Sequence, residues 1–446
     1  MPVRPRGTSV RLFAAGCAAA LLALLPAPAA QAAPPARGAS AVQTAQADPA
    51  AQAVQQDPSH LTREAVFTPA ANGWERVERY LDTTPGFTQE DYPPDGRGDQ
   101  DGLRRTYFGG VAKPFSGRFL LYSAPGWDTG GGTPVLLVHG ANDNPDRAWA
   151  NPGESGAFGC GAASCPSTGL MQYLDGRGKR VFAIGFAHKE GDNLMQAQQV
   201  GDAVALIRAR LGVEKVDLVG WSKGMMSARM YVSSVKPAWG RPYAGDVRKL
   251  ITLGGPNGGY DYPFAHGWAH NFSIWSECGG SVNSPSPHTS MTCYGASRYH
   301  PEFSFVPTDG WDAYPGQRQM LARFDHVYGV NQTQQDWYTT YYGGRGFYTS
   351  GPGIQAAIDA GSLIDRIQRA GVPADVQTYL LAGGAATVVG IVNETRGPGD
   401  GVVFTTSALD GTGIGNLAGT AVVGTANHLE LGWKTAVSSQ VAAWLG

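Results

Sequence analysis

The stretch Val216-Asp-Leu-Val-Gly-Trp-Ser-Lys-Gly-Met-Met226 places one serine between two glycines, directly after a short apolar run. The run is typical of a buried strand, and the segment from Met225 to Tyr231 is typical of a helix. Gly220 and Gly224 therefore fall where a tight strand-to-helix turn needs residues without a side chain. Such a turn strains the backbone of Ser222 and exposes its hydroxyl at the carboxyl end of the strand, where open α/β sheets bind ligands.

The rest of the chain alternates strand-like and helix-like segments. Apolar runs typical of parallel strands covered on both faces occur at 119–122, 134–138, 181–185, 249–253 and 376–381. Between two of these runs, Val200, Val204, Ile207 and Leu211 recur at helical spacing within the segment 194–211. Alternation of this kind predicts a mostly parallel, doubly wound α/β sheet with right-handed crossovers.

One long region interrupts this alternation. Residues 257 to about 351 are dense in tryptophan and tyrosine and show little periodicity. We interpret the region as an insertion over the sheet. Its aromatic side chains form either a local core or an apolar cap that faces the substrate.

The N-terminus has the features of a secretory signal peptide. Three arginines precede an apolar run from Leu12 to Leu25, and Ala30-Gln-Ala32 follows as a small-residue cleavage pattern. The alternative is a membrane anchor, but about 14 apolar residues fall short of the roughly 20 that span a bilayer. We expect residues 1–32 to be a signal peptide, 33–60 a disordered Ala/Gln/Pro-rich leader and 61–446 the catalytic domain of a secreted protein without an integral membrane helix.

The net charge and the cysteine content further limit the class of protein. The net charge is only −2 and there is no lysine or arginine cluster, so nucleic acid is not an expected partner. Cys17 would leave with the signal peptide, which leaves four cysteines. The local pairs Cys160–Cys165 and Cys278–Cys293 are the expected disulfides, although four cysteines allow three connectivities.

Five short motifs follow one another along the chain. They are Pro134-Val-Leu-Leu-Val-His-Gly140, Gly220-Trp-Ser-Lys-Gly224, Leu253-Gly-Gly-Pro256, Gly399-Asp-Gly-Val402 and Asn427-His428. In this order they resemble the α/β-hydrolase superfamily, and more closely the secreted bacterial lipases of the class 2 type. The resemblance implies an α/β-hydrolase fold in which the insertion lies between the later strands as a cap or lid. The chain departs from typical class 2 members by having Trp221 in place of a histidine and Lys223 in place of a smaller or neutral residue.

The resemblance also implies a catalytic triad of Ser222, Asp400 and His428, in the chain order that this fold imposes. Asp400 is the implied acid because it follows a strand in a Gly-Asp-Gly-Val setting, with Asp410 and Glu394 as fallback acids. His428 is the implied base, and it is the only histidine downstream of Asp400.

Ester cleavage by a serine also needs donors for the developing oxyanion. The backbone N–H of Lys223, at a helix N-terminus, fits this role, and the side chain of Lys223 is expected to point aside. By resemblance, the second donor is the backbone N–H of Ala141, with Asn142 as an alternative. The resemblance gives His139 a structural role.

The leading hypothesis is a monomeric, secreted serine carboxylester hydrolase, a lipase or esterase, that cleaves acyl esters through an acyl-enzyme with water as second substrate. It requires no cofactor and no metal, and the histidines that could bind one, His266, His270 and His288, are scattered over the insertion. A second hypothesis keeps the triad but takes an insoluble polyester of the polyhydroxyalkanoate type. A third is a non-catalytic binding protein on the same fold.

Overall fold

The computed structural model describes residues 57–92, 98–154, 159–265, 314–330, 341–345, 350–351, 353–391 and 393–446. The predicted signal peptide and nearly all of the predicted leader lie outside the described residues. So do the segments 266–313, 331–340 and 346–349 of the predicted insertion, and with them Cys278, Cys293 and the histidines His266, His270 and His288.

A mostly parallel sheet organises the described chain. Its strands are β1 (Leu61–Phe67), β2 (Arg76–Asp82), β3 (Arg118–Ser123), β4 (Gly131–Val138), β5 (Lys179–Phe186), β6 (Val216–Trp221), β7 (Val247–Leu253), β10 (Gln377–Gly383) and β11 (Leu417–Val423), while β8 (Gly344–Arg345) and β9 (Ser350–Gly351) form a separate pair. The nine strands lie in the order β1-β2-β3-β5-β4-β6-β7-β10-β11. All neighbours from β5 to β11 are parallel, whereas β1, β2 and β3 join through antiparallel pairings.

Short and long helices connect the strands. They are α1 (Gly102–Tyr107), α2 (Leu170–Asp175), α3 (Asn193–Leu211), α4 (Lys223–Val232), α5 (Tyr262–Ala265), α6 (Pro315–Arg318), α7 (Gly353–Asp359), α8 (Ile364–Ala370), α9 (Thr405–Ala408) and α10 (Thr435–Leu445), with a π-helical turn at Asp146–Ala150 and a 3-10 turn at Leu429–Gly432. The predicted helix over 194–211 thus begins one residue earlier, and Asp192 caps it by accepting the backbone N–H of Leu194 at 2.6 Å.

Both faces of the sheet are buried, which explains why its central strands are apolar without interruption. Along β3, Phe119 and Leu121 pack into one core cluster while Leu120 and Tyr122 pack into the other. Helices α3 and α4 contribute to the first cluster, and α2 and α10 to the second. Burying each such side chain stabilises the fold by about 1.5–3 kcal/mol.

The structure adds to the nine-stranded sheet three strands that the sequence interpretation did not include. β1 and β2 extend the antiparallel edge of the sheet, and β11 forms its other edge. β11 therefore follows Asp400, which lies between the last two strands rather than after the final one. The burial of β11 alternates between exposed and half-buried residues, as expected for an edge strand.

Parts of the predicted insertion are described and pack against the core. Tyr260, Tyr262, Phe264 and Tyr341 are all at least nine-tenths buried in the first core cluster. A role of the insertion as a cap or lid stays a prediction. Within the part of the chain that the structure describes, none of the helices has both the length and the apolar character needed to cross a bilayer.

Candidate active site

Ser222 occupies the turn that joins β6 to α4. Its backbone has φ 52° and ψ −128°, a left-handed conformation that residues with a side chain rarely adopt. The turn is held by the backbone N–H of Ser222, which donates to the carbonyl of Leu253 at 2.9 Å. Strain of this kind is retained where the surrounding structure fixes it, and here it directs the hydroxyl away from the sheet.

Gly220 and Gly224 allow this turn because each lies against backbone atoms. A Cβ on Gly224 would come 2.2 Å from the carbonyl oxygen of Val138, and one on Gly220 would come 2.8 Å from the Cα of Met225. Neither neighbour is a flexible side chain that could move aside. The two glycines of the serine motif are thus required by close packing of strand and helix.

Three side chains that are distant in sequence meet at this turn. The Nε2 of His428 lies 2.9 Å from the Oγ of Ser222, and the Nδ1 of His428 lies 2.8 Å from the Oδ2 of Asp400. His428 is 4% exposed and Asp400 is 1% exposed, so the imidazole and carboxylate are shielded from water. The geometry is that of a nucleophile, a base and an orienting acid in hydrogen-bond contact.

The backbone around Asp400 fixes the carboxylate. Its Oδ1 accepts the N–H groups of Val402 at 3.1 Å and Val403 at 2.8 Å, and its carbonyl accepts the N–H of His428 at 2.8 Å. The fallback acids have other contacts: Asp410 accepts from Gln368 at 2.9 Å, and Glu394 pairs with Arg396. Of the three predicted acids, the structure places Asp400 against the imidazole.

Asn427 anchors the loop that carries His428. Its amide nitrogen donates to the carbonyls of Gly161 and Thr387, both at 2.8 Å, and its side-chain oxygen accepts the N–H of Glu430 at 3.1 Å. From the sequence, Asn427 was recognised only as part of the Asn-His motif, and no role was assigned to it. The structure shows that it positions the imidazole through the backbone.

Trp221 and Gly254 also act on the imidazole, and sequence reasoning assigned neither a role. The indole N–H of Trp221 donates to the carbonyl of His428 at 3.0 Å. A Cβ on Gly254 would come 2.8 Å from Oδ2 of Asp400 and 3.3 Å from Nδ1 of His428. The Leu-Gly-Gly-Pro motif was the available signal in the sequence, because its first glycine leaves room for Asp400 and His428.

The loop after β4 runs close to the serine. A Cβ on Gly140 would come 3.0 Å from the Cβ of Ser222, and Ala141 and Asn142 line the same cleft as Ser222. The Nε2 of His139 accepts the backbone N–H of Phe186 at 3.3 Å, so its Nδ1 carries the proton and donates to the carbonyl of Gly140 at 2.8 Å. Burial lowers the pKa of His139 to about 4, which keeps this ring neutral.

Lys223 begins α4, where its backbone N–H belongs to the first turn. Its side chain is 1% exposed, and the ammonium group donates to Oε1 of Gln196. Burial lowers the pKa of Lys223 to about 8, against the opposing charge of Glu190. The ammonium group therefore points into the protein rather than into solvent.

An open cleft surrounds the serine hydroxyl, with a volume of about 790 Å³ when the solvent space at its mouth is included. Its walls combine apolar and polar side chains, namely Ala141, Asn142, Glu190, Trp221, Ser222, Pro256, Tyr260, Tyr262, Gln317, Met320, Ile391, Val402, Val403, His428 and Leu429. A concave lining that combines apolar side chains with convergent polar groups is typical of a small-molecule site.

A disulfide joins Cys160 to Cys165, as one of the two predicted local pairs. The bridged loop contacts the segment that carries His428 at two points: the carbonyl of Gly161 accepts from Asn427, and the carbonyl of Cys160 accepts the indole N–H of Trp433 at 3.3 Å. The disulfide thus stabilises a loop on which the position of His428 depends.

The described residues contain one cluster with the residue types of a metal site, His60, Asp82 and Asp202. The guanidinium of Arg241 already donates to Asp82 at 3.0 Å and to Asp202 at 2.5 Å, and His60 pairs with Asp202 at 2.8 Å. Arg241 and His60 therefore already hydrogen-bond to these two carboxylates. The cluster links β1 and β2 to α3 and does not border the serine cleft.

A mostly parallel sheet with helices on both faces and a serine on a strained strand-to-helix turn at its carboxyl edge defines the α/β-hydrolase fold. The chain has this fold, and the resemblance to the α/β-hydrolase superfamily is confirmed at that level. The likeness to class 2 secreted lipases in particular stays a prediction.

No family model matches the sequence, and no curated protein matches it. Among solved structures, the chain is similar to a mature lipase from Bacillus licheniformis, with 14% identity over 70% of this chain and 91% of that one and a TM-score of 0.38. It is also similar to a thermostable carboxyl esterase from Bacillus coagulans (12% identity, 74% and 95% of the chains, TM-score 0.34) and to a Rhodococcus esterase (17%, 74% and 94%, 0.35). Sequence identities and TM-scores this low say nothing about the substrate of this chain. The fold assignment itself rests on the sheet and on the turn at Ser222.

Proposed function

We propose that the chain is a serine carboxylester hydrolase, a lipase or esterase. The observation that carries this proposal is the continuous hydrogen-bond chain from Ser222 through His428 to Asp400, with the serine on a strained turn that opens into a cleft. A serine hydroxyl at its free pKa is a poor nucleophile, and a histidine base held by a carboxylate is the arrangement that activates it.

The reaction proceeds in two halves. The Oγ of Ser222 attacks the ester carbonyl as His428 takes its proton, and the proton then passes to the departing alcohol, which leaves an acyl-enzyme. Water attacks the acyl group in the second half, gives its proton to His428 and releases the carboxylic acid, while the serine recovers its hydrogen. Asp400 orients the imidazole and stabilises it when charged.

The backbone N–H groups of Lys223 and Ala141 are the proposed donors to the oxyanion. Two features support this choice: Lys223 follows the nucleophile at a helix N-terminus, and Ala141 borders the cleft beside Ser222. Donors fixed before the reaction stabilise the developing charge without reorganisation. No cofactor takes part in the proposed chemistry.

The proposal is tested with purified protein and the Ser222→Ala variant. We expect the wild-type chain to hydrolyse nitrophenyl esters and to be labelled by a fluorophosphonate at Ser222, and the variant to lose both properties. An unchanged rate in the variant would refute the assignment of Ser222 as the nucleophile, and a wild-type protein with neither hydrolysis nor labelling would leave a binding protein. A panel of esters from two to sixteen carbons, with a polyester film as the last member, defines the acyl preference and separates a lipase or esterase from a polyester depolymerase.

We also propose that the protein is exported with removal of residues 1–32. The basic start, the apolar run and the Ala-Gln-Ala pattern support it, and a disulfide between Cys160 and Cys165 suits an oxidising compartment. Mass spectrometry of protein from the culture medium of an expressing bacterium tests this. A mature N-terminus near Ala33 is expected, and an intact Met1 in that fraction would contradict it.

A further inference from the structure

A short segment of the predicted insertion supplies one wall of the serine cleft. Residues 314–321, which we call the return segment, contain α6, and the side chains of Gln317 and Met320 line the cleft. The backbone of the segment also pairs with a third lining residue, since the N–H of Tyr260 donates to the carbonyl of Met320 at 3.0 Å. The position of the return segment therefore sets the shape of this wall.

The return segment rests on the loop between β5 and α3 and on the start of α3. The backbone N–H of Gly316 donates to the carbonyl of Glu190 at 3.1 Å, and the carbonyl of Gly316 accepts from the side chain of Asn193 at 2.8 Å. The amide of Gln319 donates to Oδ1 of Asp192 at 2.9 Å and accepts the backbone N–H of Asn193 at 2.8 Å. Gly316 thus takes part in this contact with both of its backbone groups.

The side chain of Lys223 packs against Gly316. A Cβ on Gly316 would come 2.0 Å from Cε and 2.8 Å from Nζ of Lys223, and 2.2 Å from the carbonyl oxygen of Gly191. The methylene stem of Lys223 therefore fills the space next to the return segment, and only a glycine fits at position 316. The ammonium group continues to Oε1 of Gln196 on α3, and Gln196 is held in turn because its amide donates to the carbonyl of His188 at 2.8 Å.

The ammonium group of Lys223 also interacts with nearby carboxylates. Burial lowers the pKa of Lys223 to about 8, and the charges of Glu190, Glu90 and Asp192 oppose this shift. Most molecules therefore carry the ammonium group at pH 7. Its attraction to Glu190 and Asp192 acts toward the loop on which the return segment rests.

We propose that Lys223 acts through its side chain as a positioning residue: its stem supports the return segment and thereby sets the cleft wall formed by Gln317 and Met320. In the proposed reaction, the backbone N–H of the same residue donates to the oxyanion, so one residue fixes both the wall and this donor. The inference rests on the proposed ester hydrolysis and adds a determinant of acyl specificity to it. An acyl chain of several carbons contacts the wall, whereas an acetyl group on Ser222 is too short to gain from it.

The test compares kcat/KM for nitrophenyl acetate with kcat/KM for the nitrophenyl ester that has the lowest KM in the wild-type protein, which we expect to carry a longer acyl chain. Lys223→Ala removes the stem, Lys223→Met keeps a stem of similar length, and both remove the ammonium group. The ratio of longer ester to acetate should fall about tenfold in Lys223→Ala, as expected for the loss of one or two methylene contacts, and stay within about threefold of wild type in Lys223→Met. A loss of folded protein or a weaker oxyanion donor lowers both values alike and leaves the ratio unchanged.

Gly316→Ala perturbs the same contact from the other side. Its Cβ would overlap Lys223 and the carbonyl of Gly191, so the return segment must move away from its support. The ratio should again fall about tenfold, through the KM of the longer ester rather than its kcat, because contacts made equally in the ground state and the transition state are lost. Gly329→Ala is the matched control: a Cβ on Gly329 would meet no atom of the described residues within 4 Å, so both constants should stay at the wild-type values.

The outcomes separate the two proposals. A wild-type ratio in Lys223→Ala, or in Gly316→Ala where the lysine variants do not fold, overturns the positioning role and leaves ester hydrolysis standing. An equal fall in Lys223→Met and Lys223→Ala also overturns it, because the effect would then belong to the charge and not to the stem. So does a wild-type protein with its lowest KM for the acetate, since no substrate then uses the wall. Failure of the wild-type protein to cleave any of the esters, with Ser222 unlabelled by a fluorophosphonate, refutes the proposed function and this inference together.

Discussion

Replacing Asp400 with asparagine should stop catalysis while leaving the fold intact, because the two carboxylate oxygens have different hydrogen-bond partners. Oδ1 accepts the backbone N–H groups of Val402 and Val403, and Oδ2 faces the Nδ1 of His428. In the variant, the two backbone donors retain the amide oxygen at the Oδ1 position. The amide nitrogen must then face Nδ1 of the imidazole and donate to it.

This donation fixes the wrong tautomer of His428. With Nδ1 acting as acceptor, the proton resides on Nε2, which lies 2.9 Å from the Oγ of Ser222 and can no longer take the serine proton. Loss of this function in a serine triad lowers kcat about 10⁴-fold, which corresponds to about 5.4 kcal/mol of transition-state stabilisation. The backbone contacts of Asp400 remain, so the free energy of unfolding should change by no more than about 1–2 kcal/mol.

The assay is kcat on a nitrophenyl ester, with urea unfolding of the same samples. Asp410→Asn is the matched control, since Asp410 accepts from Gln368 and from the N–H of Thr412 and has no contact with the imidazole. We expect the control to stay within about twofold of wild type. An Asp400→Asn variant that keeps more than a tenth of the wild-type kcat, or a control with an equal loss, would refute the reasoning.

Three further predictions concern stability and its link to the site. Gly224→Ala should destabilise the fold by more than about 3 kcal/mol, since its Cβ would overlap the carbonyl of Val138, whereas Gly424→Ala, with open space at its Cβ, should change urea unfolding by less than about 0.5 kcal/mol. The depressed pKa of His139, about 4, means that the unfolded chain binds one more proton between pH 6.5 and 4, so the free energy of unfolding falls as the pH falls through this window. His139→Asn should show a shallower fall in the same urea titrations, and parallel slopes would contradict the assignment. Replacing Cys160 and Cys165 with serine should cost about 2 kcal/mol of stability and lower kcat several-fold, since Gly161 holds Asn427; an unchanged kcat in the folded variant would separate the disulfide from the site.

The central sheet was predictable from the sequence because its strands are covered on both sides. Residues such as Leu136 and Leu137 point to opposite faces and both are fully buried, so the run has no polar positions. The strands β1 and β11 gave no such signal: β1 carries three charged or polar residues in seven, and β11 is an alanine- and glycine-containing edge strand that is partly exposed. Edge strands need less apolar surface, which leaves little pattern to detect.

The contacts among the triad residues were predictable by motif, but their supports were not. Ser222 and its two glycines are recognisable from their spacing, because few other residue types fit the strained turn. Asn427 and Gly254 act through contacts with residues far along the chain, such as Gly161 and Asp400, and spacing does not encode such contacts. The contact between Glu190 and Gln317 in the cleft was missed for the same reason, since the two residues lie 127 positions apart in the sequence.

The indole of Trp221 connects the turn of Ser222 to the loop of His428, and this contact has a consequence for protein engineering. Trp221 directly precedes Ser222, and its indole N–H donates to the carbonyl of His428. The size of the ring at position 221 therefore determines where this carbonyl can lie. A C-terminal loop taken from a relative with a smaller ring at position 221 would be shaped for a donor in a different place. The indole N–H of Trp221 would then not match the carbonyl of its residue 428. Residue 221 and the segment 425–433 should therefore be exchanged together in chimeras, as one cassette.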